Sequence, residues 1–158
     1  ANKHPRVNIL QPGCGVGGHC IAVDPYFIIS HFPMESKIIS AAREINNYKA
    51  FWCVEKIENE VLKFEIKHNR KPKISLCGLT FKPNIDDIRE SPAIYIAQKI
   101  TRVHPKNLLF FVEPNIKNHS AFKITNLEKA EKESDILFVL VAHDEFKKIN
   151  KTKTVSFV

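Results

Sequence analysis

Hydrophobic and polar positions change their rhythm near residue 70. From about Met34 to Asn69 the chain runs without a glycine or proline, and Val54, Ile57, Val61 and Phe64 recur at intervals of three and four. That spacing predicts one long helix with an apolar stripe. A helix of this length cannot bury its whole stripe against one small domain, so part of it is expected to meet a partner surface. Lys71 to Lys73, with Pro72 between them, links the helix to an alternating region. Strands are predicted there over 74–81, 108–112, 135–141 and 155–158, separated by helices over 92–101, 126–132 and 143–149. The run Asp135-Ile136-Leu137-Phe138-Val139-Leu140-Val141 is almost continuously apolar, as suits a central parallel strand covered on both faces. The pattern implies an α/β fold: a long central helix followed by a doubly wound, mostly parallel Rossmann-like sheet. Residues 1–70 and 71–158 form the two expected units. Neither an internal repeat nor a low-complexity tract interrupts them.

Ahead of the long helix the pattern breaks into a loop. Four of the five glycines, Gly13, Gly15, Gly17 and Gly18, fall within six positions, so the backbone there can take positive φ and come close to another surface. The spacing Gly13-x-Gly15-x-x-Gly18 after the apolar run Val7-Asn8-Ile9-Leu10 imitates a dinucleotide fingerprint. It is not read as one, because a fingerprint needs a helix opening within the glycines. Here Asp24-Pro25 intervenes, and an aspartate N-cap followed by a first-turn proline places the helix start well after the glycines. Cys20 then lies just before a helix N-terminus, beside His19, where the helix dipole and free N–H groups favour a thiolate. Cys20 is the candidate nucleophile. Cys53 and Cys77, in apolar periodic segments, are expected to be small buried hydrophobes. Ser91-Pro92 repeats the cap-and-proline signal, and Asn84, Asp86 and Asp87 are expected to hold a turn through local backbone bonds.

The segments Pro5-Arg6-Val7-Asn8-Ile9-Leu10-Gln11-Pro12-Gly13 and Gly15-Val16-Gly17-Gly18-His19-Cys20-Ile21-Ala22-Val23-Asp24-Pro25 resemble the catalytic-cysteine region of the UDP-glucose/GDP-mannose dehydrogenase family. Gly78-Leu79-Thr80-Phe81-Lys82-Pro83-Asn84-Ile85-Asp86-Asp87-Ile88-Arg89-Glu90-Ser91-Pro92 is similar to that family's nucleotide-sugar signature, and Val112-Glu113-Pro114-Asn115-Ile116 to a third motif. The resemblance covers nearly the whole chain. It implies oxidation of the C6 alcohol of a UDP-sugar to a carboxylate, with two NAD reduced in turn. UDP-N-acetylmannosamine is the first candidate substrate, and UDP-N-acetylglucosamine and UDP-glucose are the alternatives. Cys20 would be the nucleophile, and Asp24 would hold or activate the hydrolytic water. Leu10, Gly13, Gly15, Gly17, Gly18 and Lys82 would face the substrate. Arg6 would reach a neighbouring subunit's sugar site, and Arg89 would reach toward NAD. The nucleotide itself is expected outside the carboxyl ends of the strands, near Lys82 and Glu113.

Family members carry an N-terminal NAD-binding domain, and they continue past the equivalent of Val158 with an Asp-x-(Arg or Lys)-Gly stretch. Neither is present here, so the chain is expected to be a fragment with an incomplete sheet. The long helix would form the core of a homodimer. Cys14 stands where relatives often have proline or a small residue, and a disulfide with Cys20 would disable the nucleophile. Tyr26 replaces a common tryptophan. A non-catalytic UDP-binding or dimerisation module is the alternative from another class.

Composition narrows the picture further. The net charge of +7 and pI near 9.3 raise nucleic-acid binding, but the lysines are scattered and not interleaved with stacking aromatics, so no nucleic-acid partner is expected. No apolar run is long enough to span a bilayer and no secretory core opens the chain, which predicts a cytoplasmic protein without a membrane partner. Four cysteines and seven histidines lack ligand spacing, so neither a disulfide framework nor a metal site is expected.

Overall fold

The computed structural model describes residues 2–7, 9 and 11–158. Helix α1 spans Asp24–His31 and α2 spans Lys37–His68. They are followed by β1 (Ile74–Cys77), α3 (Pro92–Val103), β2 (Leu109–Val112), α4 (Leu127–Glu133), β3 (Ile136–Val139) and β4 (Thr154–Ser156). The four strands form one sheet in the order β2-β1-β3-β4, and every pairing is parallel. In β1, Ile74 lies opposite Leu109 on one side and Ile136 on the other. The fold is α/β, as the alternating pattern predicts.

Side-chain alternation divides the core into two layers. Ile74 and Leu76 of β1, Leu109 and Phe111 of β2, and Phe138 of β3 face α2 and α3, where they meet Cys53, Ile57, Val61, Ile96, Ala97 and Ile100. Cys77, Val112, Leu137 and Val139 point to the opposite face and pack with Ala130, Phe146 and Ile149. The central strands are buried on both sides, which is why their sequences are nearly all apolar. Cys53 and Cys77 are buried, as expected.

Helix boundaries follow local chemistry. Helix α2 starts three residues later than the apolar pattern suggests, because Pro33 and a turn closed by Ser36 N–H to the Phe32 carbonyl precede it. It ends at Asn69, whose left-handed φ of 50° is one that asparagine tolerates. Beyond it Arg70 forks onto Asp135 with bonds of 2.8 and 2.7 Å, and Asp135 also accepts the Lys73 N–H at 2.8 Å. This clamp ties the end of α2 to the start of β3. Ser91 caps α3 and Asn126 caps α4.

Asp24 departs from its expected role as a cap. The Cys20 carbonyl already accepts N–H bonds from Val23 and Asp24, at 3.0 and 2.8 Å. The chain is therefore coiling before α1 begins, Val23 is in helical geometry, and no side-chain bond caps the helix. Asp24 is its first residue, with Pro25 in the first turn as expected.

Other elements are also shorter or tighter than predicted: the strands predicted over 135–141 and 155–158 are found at Ile136–Val139 and Thr154–Ser156. The predicted strand 74–81 stops at Cys77, because Gly78 takes φ of +94° and turns the chain out of the ladder. The predicted helix 143–149 is a 3-10 turn over Asp144–Lys148. Three residues per turn put Phe146 and Ile149 on one face, and both are buried. No helix among the described residues is long and apolar enough to cross a membrane.

A Cβ at Gly78 would lie 2.5 Å from the Val141 Cβ and 2.9 Å from its nitrogen. Backbone strain and overpacking then add, so Gly78→Ala is expected to destabilise the fold by roughly 2–5 kcal/mol. Urea unfolding of the two proteins measures it.

Candidate active site at the carboxyl edge of the sheet

The chain leaves β1 for β2 on one side and later returns past it to β3 on the other. The boundary between β1 and β3 is thus the point where strand order reverses, and in open α/β sheets ligands bind outside the carboxyl ends at such a point. Gly78 to Thr80 emerge there from β1, Leu140 to His143 from β3, and Glu113 from neighbouring β2. Glu113 is 3 % exposed. Its Oε2 accepts the N–H groups of Leu79 at 2.7 Å and Thr80 at 3.2 Å, and its Oε1 accepts that of Asn115 at 3.0 Å. Burial pushes this carboxyl up, but bonds from His143 and from the Leu79 and Asn115 amides outweigh it and hold the group below its usual range. Glu113 therefore anchors the strand ends from inside the protein.

The segment 78–92 arches over this anchor, and the glycine-rich loop lies on the arch. Gly18 N–H bonds to the Arg89 carbonyl at 3.1 Å. A Cβ at Gly17 would lie 2.4 Å from the Glu90 oxygen and 2.8 Å from the Phe81 Cβ. At Gly18, where φ is +95°, it would meet the Phe81 ring at 2.9 Å. These two glycines are needed where chain packs on chain. Gly15 packs against Pro92 and the Asn46 carbonyl, while Gly13 has room for a side chain. Asn46 of α2 exchanges two bonds with the Val16 backbone, at 2.8 and 3.3 Å. One loop thereby joins α2, α3 and the sheet.

On this frame Cys20 is exposed, and Asp24 is exposed one helical turn further on. Arg89 grips Asp87 through Nε at 3.0 Å and Nη2 at 2.6 Å. Nη1 has no partner among the described residues. The Arg89 bond holds the Asp87 carboxyl down at about 2, and the guanidinium in turn feels the nearby Cys20. Asp87 also accepts the Arg89 N–H, as expected of a turn-holding residue, whereas Asn84 reaches Asp144 at 3.0 Å. Lys82, next to Phe81, is exposed, and its ammonium contacts no described residue. Cys20 is therefore exposed on the loop, Lys82 and Arg89 on the arch, and Asp24 at the start of α1, with Arg89 close to Cys20. Arg6 lies on an exposed turn whose N–H bonds to His4, with no contact to that group. Leu10 lies outside the described residues.

Cys14 faces inward, away from Cys20. Its thiol bonds to the Leu140 carbonyl at 3.4 Å and contacts that of Cys53; this contact, then burial, pushes the Cys14 thiol far up. All four cysteines are free.

A small cavity of about 110 Å³ opens between the glycine loop and the ends of β1 and β3, lined by Gly13, Thr80, Phe81 and Leu140 among others. A larger one of about 520 Å³ lies behind the loop between α2 and α3, and contains none of Cys20, Asp24, Lys82 or Arg89. Among the described residues no group of His, Cys, Asp and Glu could hold a metal.

Residues 75–157 match the UDP binding domain of the UDP-glucose/GDP-mannose dehydrogenase family, and residues 1–48 match that family's central domain. The chain belongs to this family. It is 51 % identical over 164 residues to the UDP-N-acetyl-D-mannosamine dehydrogenase of Campylobacter jejuni, covering 99 % of this chain and 39 % of that protein. Among solved structures, a UDP-N-acetyl-mannosamine dehydrogenase from S. aureus aligns with TM-score 0.70 at 40 % identity, over 98 % of this chain and 36 % of that one. A UDP-D-ManNAc dehydrogenase from Pyrococcus horikoshii aligns with TM-score 0.72 at 32 % identity, over 99 % and 37 %. The chain thus spans under two fifths of the length of these relatives.

Family membership implies NAD, and the described residues offer it a narrow fit. No helix opens within the glycine run, so it forms no dinucleotide cradle. Arg89, with Nη1 free and Cys20 nearby, suits one anionic or polar group of the cofactor.

Side chains not read as site residues in the sequence complete the edge: Asn46 bonds to the Val16 backbone, Asn115 Nδ2 reaches Glu113 and His143, and His143 is buried beside Glu113. His143 stands two residues past the apolar run that ends at Val141, and that position signals the carboxyl edge.

Glu113→Gln would turn an NH₂ donor toward N–H donors. The expected cost near pH 7 is about 1–3 kcal/mol. Because the native carboxyl titrates below its ordinary value of 4.5, its stabilisation is present above that value and is lost as pH falls toward the native one. Unfolding free energies across this range should therefore fall less steeply in Glu113→Gln than in the parent.

Proposed function

We propose that this chain carries the nucleophile and the nucleotide-sugar face of an NAD-dependent UDP-sugar 6-dehydrogenase, with UDP-N-acetylmannosamine as substrate. The observation that carries this reading is that Cys20, Lys82 and Arg89 are exposed on the loop and the arch, with Arg89 near Cys20 and Asp24 exposed one helical turn on, in a chain of this family. Its relatives' names supply the sugar. UDP-N-acetylglucosamine and UDP-glucose, which differ at one or two ring substituents, are the alternatives. Lys82 would meet the diphosphate, and the glycine loop, Leu10 and Arg6 would border the sugar.

NAD, when bound, supplies the two-electron acceptor. The remaining work falls to the chain's own residues. Once the C6 alcohol has become an aldehyde, Cys20 Sγ adds to its carbonyl carbon and a proton moves to the oxygen, giving a thiohemiacetal. Oxidation of this adduct leaves a thioester. Water held by Asp24 attacks the acyl carbon, Asp24 takes its proton, and the Cys20 thiolate departs from the carboxylate product. The thiolate is a better leaving group and nucleophile than an alkoxide. Its place at the start of the coil leading into α1 supports that role.

Residues 1–70 would serve as the catalytic loop and dimerisation helix, and 71–158 as the UDP-binding unit. Phe27, Phe32, Met34, Ile38, Ile45 and Ile66 on α1, α2 and the turn between them are between 59 and 85 % exposed. Such a surface suits a second copy of the chain. Free thiols suit a reducing cytoplasm.

A second reading, a UDP-binding module without catalysis, is favoured by the lack of a dinucleotide cradle among the described residues. The isolated 158-residue chain is accordingly expected to form no NADH from NAD and any UDP-sugar. In the natural protein at full length, Cys20→Ser should lower acid formation by roughly 10³-fold or more, and Asp24→Asn by about 10²-fold. Undiminished turnover in Cys20→Ser overturns the mechanism. Initial rates on the three UDP-sugars identify the substrate, and preference for UDP-glucose defeats the first choice.

A further inference from the structure

His143 is a buried titratable group for which the mechanism has no use. Its side chain has no solvent exposure and lies in the carboxyl-edge cluster beneath the arch that bears Lys82. Asn84 N–H and Asn115 Nδ2 both point at Nδ1 from 3.0 Å, so Nδ1 is the acceptor and Nε2 carries the proton. That proton faces Glu113 Oε2 and Thr80 Oγ1, each at 3.2 Å. The Thr80 hydroxyl spends its own proton on the Lys82 carbonyl at 2.9 Å.

The backbone is thus held at the Lys82 carbonyl and at the Asn84 amide, on either side of Pro83, and both holds run into the same imidazole. A reciprocal pair adds to the second hold: Asn84 Nδ2 donates to Asp144 Oδ2, and Asp144 N–H to Asn84 Oδ1, each at 3.0 Å. Asn84 itself sits at φ of 60°, a conformation that needs such support. Lys82 has a long, unpartnered side chain, so only its backbone is fixed in advance.

We propose that His143, as the neutral Nε2–H tautomer backed by Glu113, is a positioning residue that sets the Lys82 backbone for contact with the UDP diphosphate. This rests on the reading of Lys82 given above. The imidazole itself touches no substrate. It acts by reading the amide of Asn84 on one side and the hydroxyl of Thr80 on the other.

The test combines amide exchange with a double-substitution cycle in the full-length natural protein, using UDP as the probe. In the parent the Asn84 amide should exchange slowly. His143→Phe removes its acceptor, so exchange should accelerate and UDP affinity should fall about tenfold. His143→Asn, whose Oδ1 can stand where Nδ1 stood, should keep the amide protected and affinity within about threefold of the parent. Lys82→Ala should weaken UDP by about 10- to 100-fold, and adding His143→Phe to it should change little. If His143→Phe does not fold, His143→Gln, which keeps a donor toward Glu113 but lacks the Asn84 acceptor, carries the same expectation. Additive losses from Lys82 and His143, or an Asn84 amide indifferent to His143→Phe, overturn the positioning role alone. Failure of the parent to bind UDP, or an unaltered affinity in Lys82→Ala, overturns the nucleotide-sugar reading of Lys82 and this inference with it.

Discussion

A single buried carboxylate holds the working edge of this molecule together. Removing an ionised group from water costs several kcal/mol unless the surroundings replace its hydration. Glu113 recovers that cost from three backbone amides and an imidazole. Those amides belong to segments leaving β1 and β2, and the imidazole to the segment leaving β3. Three strand ends thereby converge on two oxygen atoms, and the arch that carries Lys82 starts from this knot.

The glycine-rich loop depends on the same geometry. Gly17 and Gly18 fit only because Phe81, Glu90 and Pro92 already stand where the arch puts them. Cys20 lies two residues beyond that contact and Asp24 one helical turn further. Cys20 is therefore placed by two surfaces: packing of loop on arch, and the reciprocal Asn46 bonds to Val16 that tie the loop to α2. Since α2 also packs on α3 and the sheet, the loop, the long helix and the sheet share one packed core.

Much of this architecture can be read in the residues themselves. Helical spacing marks α2, Ser91-Pro92 marks the start of α3, and the apolar run over 135–141 marks a central parallel strand. What escaped depended on contacts between distant segments. The strand from Ile74 ends early because Gly78 must pass Val141, far along the chain. Asp24 is not a cap because the turn from Cys20 comes first. Glu113 reads as a charge near a ligand, yet it faces inward, since only the fold brings the Leu79 and Thr80 amides to it. His143 is a lone histidine in the sequence and a fully buried one in space. Cys14, adjacent to the glycines, pairs in space with Cys53 and not with Cys20. Glycine clusters announce close approach, but not whether the approaching partner is a ligand or the chain's own Phe81.

The proposed catalysis turns on Cys20 as an exposed thiol, with Cys14, Cys53 and Cys77 buried. The most direct measurement is the rate of iodoacetamide alkylation at each cysteine, followed by mass spectrometry with and without saturating UDP-N-acetylmannosamine. Rapid modification of Cys20 alone is predicted, with a slowing of at least about fivefold when the nucleotide sugar is bound. Equal modification of the four thiols, or a Cys20 rate unchanged by every UDP-sugar, would contradict it.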